Sequence, residues 1–343
     1  MTQSRVRIAL VGCGAVTERC HIPALRTLES AEITLLVDRD LERAQALAQR
    51  FDIPNTAASY DDVAQHADAA LVALPSHLHA QASIDLLKAG VHVMVEKPMA
   101  LTMADCDAMI DAAQQAERVL AVALMRRFLR NGAFVAWALQ NKALGKLESF
   151  DFSEGNIFNW PSHSDYFLKR DLAGGGVLAD NGAHTLDQLL WWLGEDVASF
   201  EYFDDAFGGV EADCELHLTM KSGVKGRIEL SRTRALRSTA IFRCEGGILE
   251  ANLRNNSIRI TSFDGTSGLG GFGIDRNILT PVDQPFTQLF IPLHDDWLYA
   301  IQTGSRPTVT GEIARRSVAL IAECYEKRQP LNLPWLNFDK EGA

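Results

Sequence analysis

The sequence predicts an α/β protein, a doubly wound parallel sheet followed by a second unit with an antiparallel sheet. Three observations carry this. Up to Leu124, short apolar runs alternate with segments of helical periodicity, the pattern of parallel strands joined by crossover helices. The first run, Val6-Arg7-Ile8-Ala9-Leu10-Val11, leads directly into Gly12-Cys13-Gly14-Ala15-Val16-Thr17, a glycine turn that opens a helix. Beyond Gly194, strand-like segments follow one another without helices between them.

The elements follow in order. A second strand, Glu32–Val37, ends in Asp38, and a helix over Leu41–Phe51 sets Leu41, Ala44, Leu47 and Ala48 on one face. Ala69–Leu74 reads as a buried strand, followed by helix Ala80–Ala89, which Gly90 stops. Strand Val91–Val95 leads to Glu96-Lys97-Pro98, where Pro98 suits a fixed turn with a cis bond. Thr102 caps the next helix with Asp105 at the reciprocal position, and Val119–Leu124 closes the unit. The domains are expected at 1–124 and 125–343. In the second, helix Gly132–Asn141 precedes a polar loop, Gly174-Gly175-Gly176 and a helix from Leu178 to Leu193. Strands are expected at Ala198–Phe203, Cys214–Met220, Lys225–Ser231, Ala240–Cys244, Ile248–Asn252 and Ser257–Thr261, with a hairpin turn at Met220–Val224. Gly265–Gly273 reads as a mobile surface loop, and helices near His294–Thr303 and Glu312–Arg328 finish the chain.

Composition narrows the function. The 343 residues suffice for two domains, and 47% hydrophobic content marks a globular chain. A net charge of −11 without a basic run disfavours nucleic acid, anionic membranes and strongly anionic substrates, although local charge can reverse the last. No apolar run reaches the roughly 18 residues of a membrane span, and with the first strand so near residue 1 no signal peptide is expected. The six cysteines are dispersed without a C-x-x-C pair, which fits a reducing cytoplasm.

The glycine turn is the geometry that brings a pyrophosphate onto backbone N–H groups. Gly12 permits the tight turn, and Gly14 lets phosphates approach, with Ala15 and Val16 opening the helix. Asp38 stands roughly 20 residues on, where a ribose-binding acid belongs. It favours NAD, while Arg39 beside it can pair with the extra phosphate of NADP. An ordinary structural turn is the alternative. Ligands of such sheets bind beyond the carboxyl ends of the strands. Leu74, Pro75, Ser76 and His79 follow one strand there, and Glu96 and Lys97 another. A Lys at that mouth can donate to a substrate hydroxyl, or it is a surface residue.

Helical spacing sets Asp180, His184 and Asp187 on one face. A His between two carboxylates would have a fixed tautomer and enhanced basicity, as a general base requires; a solvated acidic face is the alternative. The pair Asp180/His184, like His77/His79, lacks a third ligand at metal-site spacing, so no metal is expected.

Together these segments resemble the glucose–fructose oxidoreductase / inositol dehydrogenase / rhizopine-catabolism (Gfo/Idh/MocA) family. The resemblance rests on residues 12 to 25, on Glu96-Lys97-Pro98, on Gly174 through Asp187, on Arg126-Arg127-Phe128 and on Gly304-Ser305-Arg306-Pro307. It implies an N-terminal Rossmann domain and a C-terminal α/β domain with an open, mostly antiparallel sheet that often joins subunits into a homo-oligomer. It further implies hydride transfer between a nicotinamide and a sugar, cyclitol or related secondary alcohol. Carried over by position, Lys97, Asp180 and His184 form the catalytic group: His184 as acid/base, Lys97 on the reacting oxygen, Asp180 positioning both substrate and Lys97. Arg126, Asn156, Trp160, Tyr166 and Lys169 are candidate substrate contacts. The departures are Thr17 for Gly or Ala, Ser76 where Asn is common, and Met125 where Asn often precedes the Arg pair. Redox-neutral sugar chemistry that recycles the nicotinamide, and an NAD(H)-sensing regulator, are the competing readings; intact Lys97, Asp180 and His184 argue against the regulator.

Overall fold

The computed structural model describes residues 5–161, 165–206, 209–263, 271–276 and 286–332. The first sheet has six parallel strands: β1 (Val6–Val11), β2 (Ala31–Val37), β3 (Thr56–Ala57), β4 (Ala69–Val72), β5 (His92–Val95) and β6 (Leu120–Val122). Their order is β3-β2-β1-β4-β5-β6. The chain reverses direction across the sheet between β1 and β4, which opens a crevice at their carboxyl ends. Helices α1 (Leu41–Phe51), α2 (His79–Lys88) and α3 (Met103–Ala116) cover the sheet. In α1, Ala44, Leu47 and Ala48 are buried and Leu41 is exposed, and the Asp40 carboxylate caps the helix by accepting from Arg43 N at 3.1 Å. Thr102 caps α3 through Asp105 N, as its sequence indicates.

The second sheet has nine strands: β7 (Leu147–Gly155), β8 (Val197–Asp204), β9 (Asp213–Met220), β10 (Lys225–Ser231), β11 (Thr239–Cys244), β12 (Gly247–Asn252), β13 (Ile258–Phe263), β14 (Gly271–Arg276) and β15 (Arg328–Pro330). The order β14-β13-β12-β11-β7-β10-β9-β8-β15 is mostly antiparallel, with parallel pairs at β7/β10 and β8/β15. Its buried face packs on α4 (Arg130–Gln140) and α5 (Ala183–Leu193). The fully buried Leu186, Leu189 and Trp192 of α5 meet Phe150 and Phe152 of β7. Each such side chain contributes about 1.5–3 kcal/mol by leaving water.

The differences from expectation are local. β7, near the middle of the sheet, is absent from the sequence reading because Glu148 and Glu154 flank Phe150 and Phe152 on its apolar face. The helix expected from Leu178 begins as a π-helical turn over Leu178–Gly182. Of the expected surface loop Gly265–Gly273, residues 265–270 lie outside the described residues, and Gly271–Gly273 open β14. Helices α6 (Phe290–Thr303) and α7 (Gly311–Glu326) return to the first sheet. Ala314 and Val318 of α7 join one of its cores, while Leu320, Ile321 and Cys324 join the core of the second sheet. One helix thereby ties the two layers together. No helix among the described residues is long and apolar enough to cross a membrane.

Candidate active site

A cleft of about 1310 Å³ runs along the carboxyl ends of β1, β2, β4 and β5 and under the second sheet. Every sequence-predicted site residue except Asp187 lines it, but they take different parts.

The nucleotide end begins at Gly12, whose φ of +105° is open to glycine, and where a Cβ would stand 2.4 Å from the Ala73 carbonyl oxygen. A Cβ on Gly14 would meet nothing within 4 Å, so the loop leaves room for a phosphate between it and Ala15 and Val16. Thr17, in place of a third glycine, folds its hydroxyl onto the Gly12 carbonyl at 2.6 Å and so braces the turn. The Asp38 carboxylate accepts from Cys13 N and Asp40 N, both at 2.9 Å, which fixes it at the end of β2. Arg39 and Arg43 line the cleft beside it, with Arg43 Nη1 3.7 Å from Asp38 Oδ2. This cradle fits a dinucleotide: room for phosphates at a glycine turn, and an anchored acid for a ribose. Leu74, Pro75 and Ser76 form the opposite wall.

Two expected cofactor contacts are turned inward instead. His79 is buried, and its ring nitrogens lie 2.9 Å from the Pro98 carbonyl oxygen and 2.8 Å from that of Leu74. It joins the β4 loop to the cis Lys97–Pro98 turn rather than offering a nitrogen to the cleft. Glu96 accepts from Lys97 N at 3.0 Å and sits 2.9 Å from His21 Nε2, whose Nδ1 is 3.0 Å from His294 Nε2. Burial pushes the Glu96 carboxyl up, but His21 and Lys97 outweigh it and hold it below the usual carboxylate range.

The other end of the cleft gathers around the π-helical turn. Lys97 Nζ donates to the Asp180 carboxylate and, at 3.2 Å, to the Asp180 carbonyl. Arg232 Nη2 donates to the other carboxylate oxygen at 2.8 Å. Burial pushes Asp180 up, but Lys97 and Arg232 more than offset this and hold it well below the usual carboxylate range. Asp187 leaves the site altogether, gripped by Arg127 at 2.8 and 2.7 Å. His184 therefore has no carboxylate partner among the described residues. Its Nδ1 is buried without a hydrogen bond, leaving Nε2 to meet the cleft. Burial first, and then the charges of Arg126, Lys97 and Arg254, drive its pKa well below 6.5. The expected doubly flanked, more basic His184 is corrected to a neutral imidazole in a cationic setting. Two causes act: the π turn takes Asp180 out of the regular i, i+4 alignment, and Arg127 draws the Asp187 carboxylate away within the α-helix.

The candidate substrate contacts divide in the same way. Arg126 is buried and grips Glu154 at 2.8 and 2.6 Å, so its guanidinium builds the floor rather than reaching for a ligand. Arg254 Nε and the Thr185 hydroxyl complete the shell around Glu154, at 2.8 and 2.6 Å. Burial raises the Glu154 carboxyl, but the two arginines and Thr185 bring it down to about 2. Asn156, Trp160 and Tyr166 line the wall formed by the chain after β7. Burial, and the charges of Asp180 and Glu96, raise the Tyr166 phenol above its ordinary value. Lys169 is exposed at the rim and pairs with Asp165 at 2.8 Å. Glu154, Arg232 and Arg254 were missed by sequence reasoning, since each stands alone in a strand or turn without a motif.

The N-terminal part, residues 6–124, matches the family model of Gfo/Idh/MocA oxidoreductases with an NAD-binding Rossmann fold, and residues 135–250 match that family's C-terminal domain. The chain belongs to the Gfo/Idh/MocA family. Within it, the chain is similar to D-glucoside 3-dehydrogenase of Escherichia coli K12, 31% identical over 57% of this chain and 56% of that one. The matches to the first three curated relatives cover 56%, 52% and 54% of their lengths, about half in each case. Myo-inositol 2-dehydrogenase of Thermotoga maritima is 24% identical over 92% of this chain and 94% of its own. Among solved structures, an aldose-aldose oxidoreductase from Caulobacter crescentus superposes with a TM-score of 0.80 at 25% identity, covering 94% of this chain and 97% of that one. The first layer of this Gfo/Idh/MocA chain is therefore an NAD-binding Rossmann domain.

Proposed function

We propose that this Gfo/Idh/MocA protein is an NAD(P)-dependent oxidoreductase acting on a CH–OH carbon of a sugar, cyclitol or sugar derivative. The observation that carries the reading is the meeting of Lys97, Asp180 and His184 in the cleft that also holds Gly12, Gly14 and Asp38. The nicotinamide, when bound, supplies the hydride acceptor or donor. In oxidation, His184 takes the hydroxyl proton as the hydride leaves the same carbon; in reduction it returns the proton. Being neutral at pH 7, it is in the accepting state without prior deprotonation. Lys97 donates to the reacting oxygen and stabilises its developing negative charge. Asp180 holds the Lys97 ammonium in place from one oxygen while Arg232 holds Asp180 from the other. NAD is the preferred cofactor, because the anchored Asp38 carboxylate repels a 2′-phosphate; Arg39 and Arg43 leave NADP as the second choice.

Residues 1–124 are proposed as the nucleotide domain and 125–343 as the substrate domain, the latter forming a homo-oligomer through the second sheet. Six free cysteines fit a reducing cytoplasm. The relatives named for glucoside, inositol and aldose chemistry support a polyhydroxylated substrate. The aldose-aldose relative also favours a second reading, a redox-neutral reaction in which the cofactor is recycled.

The test follows nicotinamide absorbance with cyclitols, aldoses and sugar derivatives, each with NAD and with NADP, for wild type beside His184→Ala. A signal confined to wild type supports the dehydrogenase. Substrate conversion without net NADH supports the recycling reading. No conversion of any substrate, with NADH bound, removes both.

A further inference from the structure

The floor of the cleft carries more positive than negative charge. One turn, Asp180 to Thr185, gathers four cations. Lys97 and Arg232 pair with Asp180, while Arg126 and Arg254 share Glu154, which Thr185 also bonds. Glu96 lies behind Lys97, so four cations face three carboxylates. His184, between them, is neutral. The whole chain is acidic at −11, so this surplus is a local feature of the site.

Two of these arginines keep donors in reserve. Arg254 uses Nε on Glu154, and with the Asn156 amide turned to suit its neighbours Nη1 meets that carboxamide oxygen; Nη2 has no partner among the described residues. Arg232 spends Nη2 on Asp180 and leaves Nη1 without a partner among the described residues, while its Nε is buried. Both line the cleft. Neither is free to wander. The Arg254 turn is tied down by the Asn252 side chain, which accepts from Arg254 N and Asn255 N at 2.9 and 3.0 Å. The Arg232 guanidinium lies 4.9 Å over the Phe158 ring. Guanidinium donors held in place and open to the cleft are set to meet the acceptor oxygens of a ligand. Lys97 already serves the reacting oxygen. Arg254, on the turn after β12, is carried by the second sheet.

Building on the proposed sugar or cyclitol chemistry, the geometry points to a substrate bearing an anionic group, a carboxylate or a phosphoryl, held by Arg254 and Arg232 beside the carbon that reacts. Both groups share the planar or tetrahedral oxygens that a guanidinium grips in pairs.

The experiment titrates the NADH-saturated full chain with D-glucose against D-glucuronate and D-glucose 6-phosphate, and with D-galactose against D-galacturonate. One charged member is expected to bind at least about tenfold tighter than its neutral partner. The carboxylate and phosphoryl arms identify which oxyanion is meant. The advantage should vanish in Arg254→Gln and largely return in Arg254→Lys. Neutral sugars binding as tightly as their charged partners overturn the proposal, as does an advantage that survives Arg254→Gln, or no binding by any of the five. The wild-type comparison stands even if the Gln variant fails to fold. Failure of NADH itself to bind would remove the oxidoreductase reading, and this proposal with it; neutral sugars oxidised without charged preference would remove this proposal alone.

Discussion

Lys97 and Asp180, 83 residues apart in sequence, meet through the ammonium, which donates to both the carboxylate and the main-chain carbonyl of Asp180. This contact joins the loop after β5 of the first sheet to the π turn that leads into α5 under the second. It makes the position of the Lys97 ammonium depend on how the two layers pack.

Lys97→Ala is therefore expected to lower kcat/KM by roughly 10²–10³-fold, the usual cost of losing one donor to a developing oxyanion. NADH affinity, read by fluorescence quenching, should change little, because Gly12, Gly14 and Asp38 are untouched. Equal losses in cofactor binding and turnover would contradict the role given to Lys97.

The kinetic pH profile follows from His184. Its pKa lies well below 6.5, so the oxidation rate should show no inflection near 6.5 from this residue and stay level as pH falls toward about 6. A wild-type profile that rises about a midpoint of 6.5 would show that Arg126, Lys97 and Arg254 do not hold the ring neutral.

Stability should fall with acid in two stages. Burial lowers the pKa values of His79, His184 and His294, and that of His92 to about 4. In the unfolded chain these rings protonate near 6.5, so the unfolded state binds more protons below that pH. Stability present in full above 6.5 is then lost as pH falls toward 4, by up to about 1.4 kcal/mol per pH unit for each ring that titrates only when unfolded. Glu154, with a folded pKa of about 2, adds a second loss as pH falls below its unfolded value near 4.5. Urea unfolding at pH 7.5, 6 and 5 reads the first stage; a midpoint constant over that range would refute it.

Glu154 is fully buried and holds two arginines. Glu154→Ala leaves both without their carboxylate and is expected to cost about 3–5 kcal/mol, measured as a lower urea midpoint. Thr185→Ala removes only the hydroxyl bond and should cost about 1 kcal/mol.

The two glycines of the nucleotide turn should behave differently. Gly12→Ala forces a Cβ into the Ala73 carbonyl at a φ of +105°, so folding stability and NADH binding should both suffer. Gly14→Ala meets open space in the protein and should leave the melting temperature nearly unchanged while weakening NADH binding, since the methyl projects where the phosphates approach. Thermal melts beside NADH titrations separate the two.

Much of the frame was legible in the chain itself. The β1 run, the Gly12/Gly14 turn, Asp38 at the end of β2 and the Thr102 cap are local patterns, set by backbone sterics and by periodic burial within a few residues. The motif around Lys97 and the Asp180/His184 segment brought these residues forward through the family resemblance, and the fold places them in one cleft. β7 escaped because Glu148 and Glu154 flank Phe150 and Phe152 on its apolar face, and only the assembled sheet explains Glu154, as the carboxylate between Arg126 and Arg254.

What the sequence by itself determined was therefore the Rossmann layer, the run of antiparallel strands and the identity of the chemical groups. Tertiary structure alone decided their partners and charge states. Asp180 went to Lys97 and Arg232, Asp187 to Arg127, and His184 was left neutral among cations. Helical spacing reports which residues share a face, but Coulomb interactions and desolvation act through space, between groups that the fold brings together from distant parts of the chain.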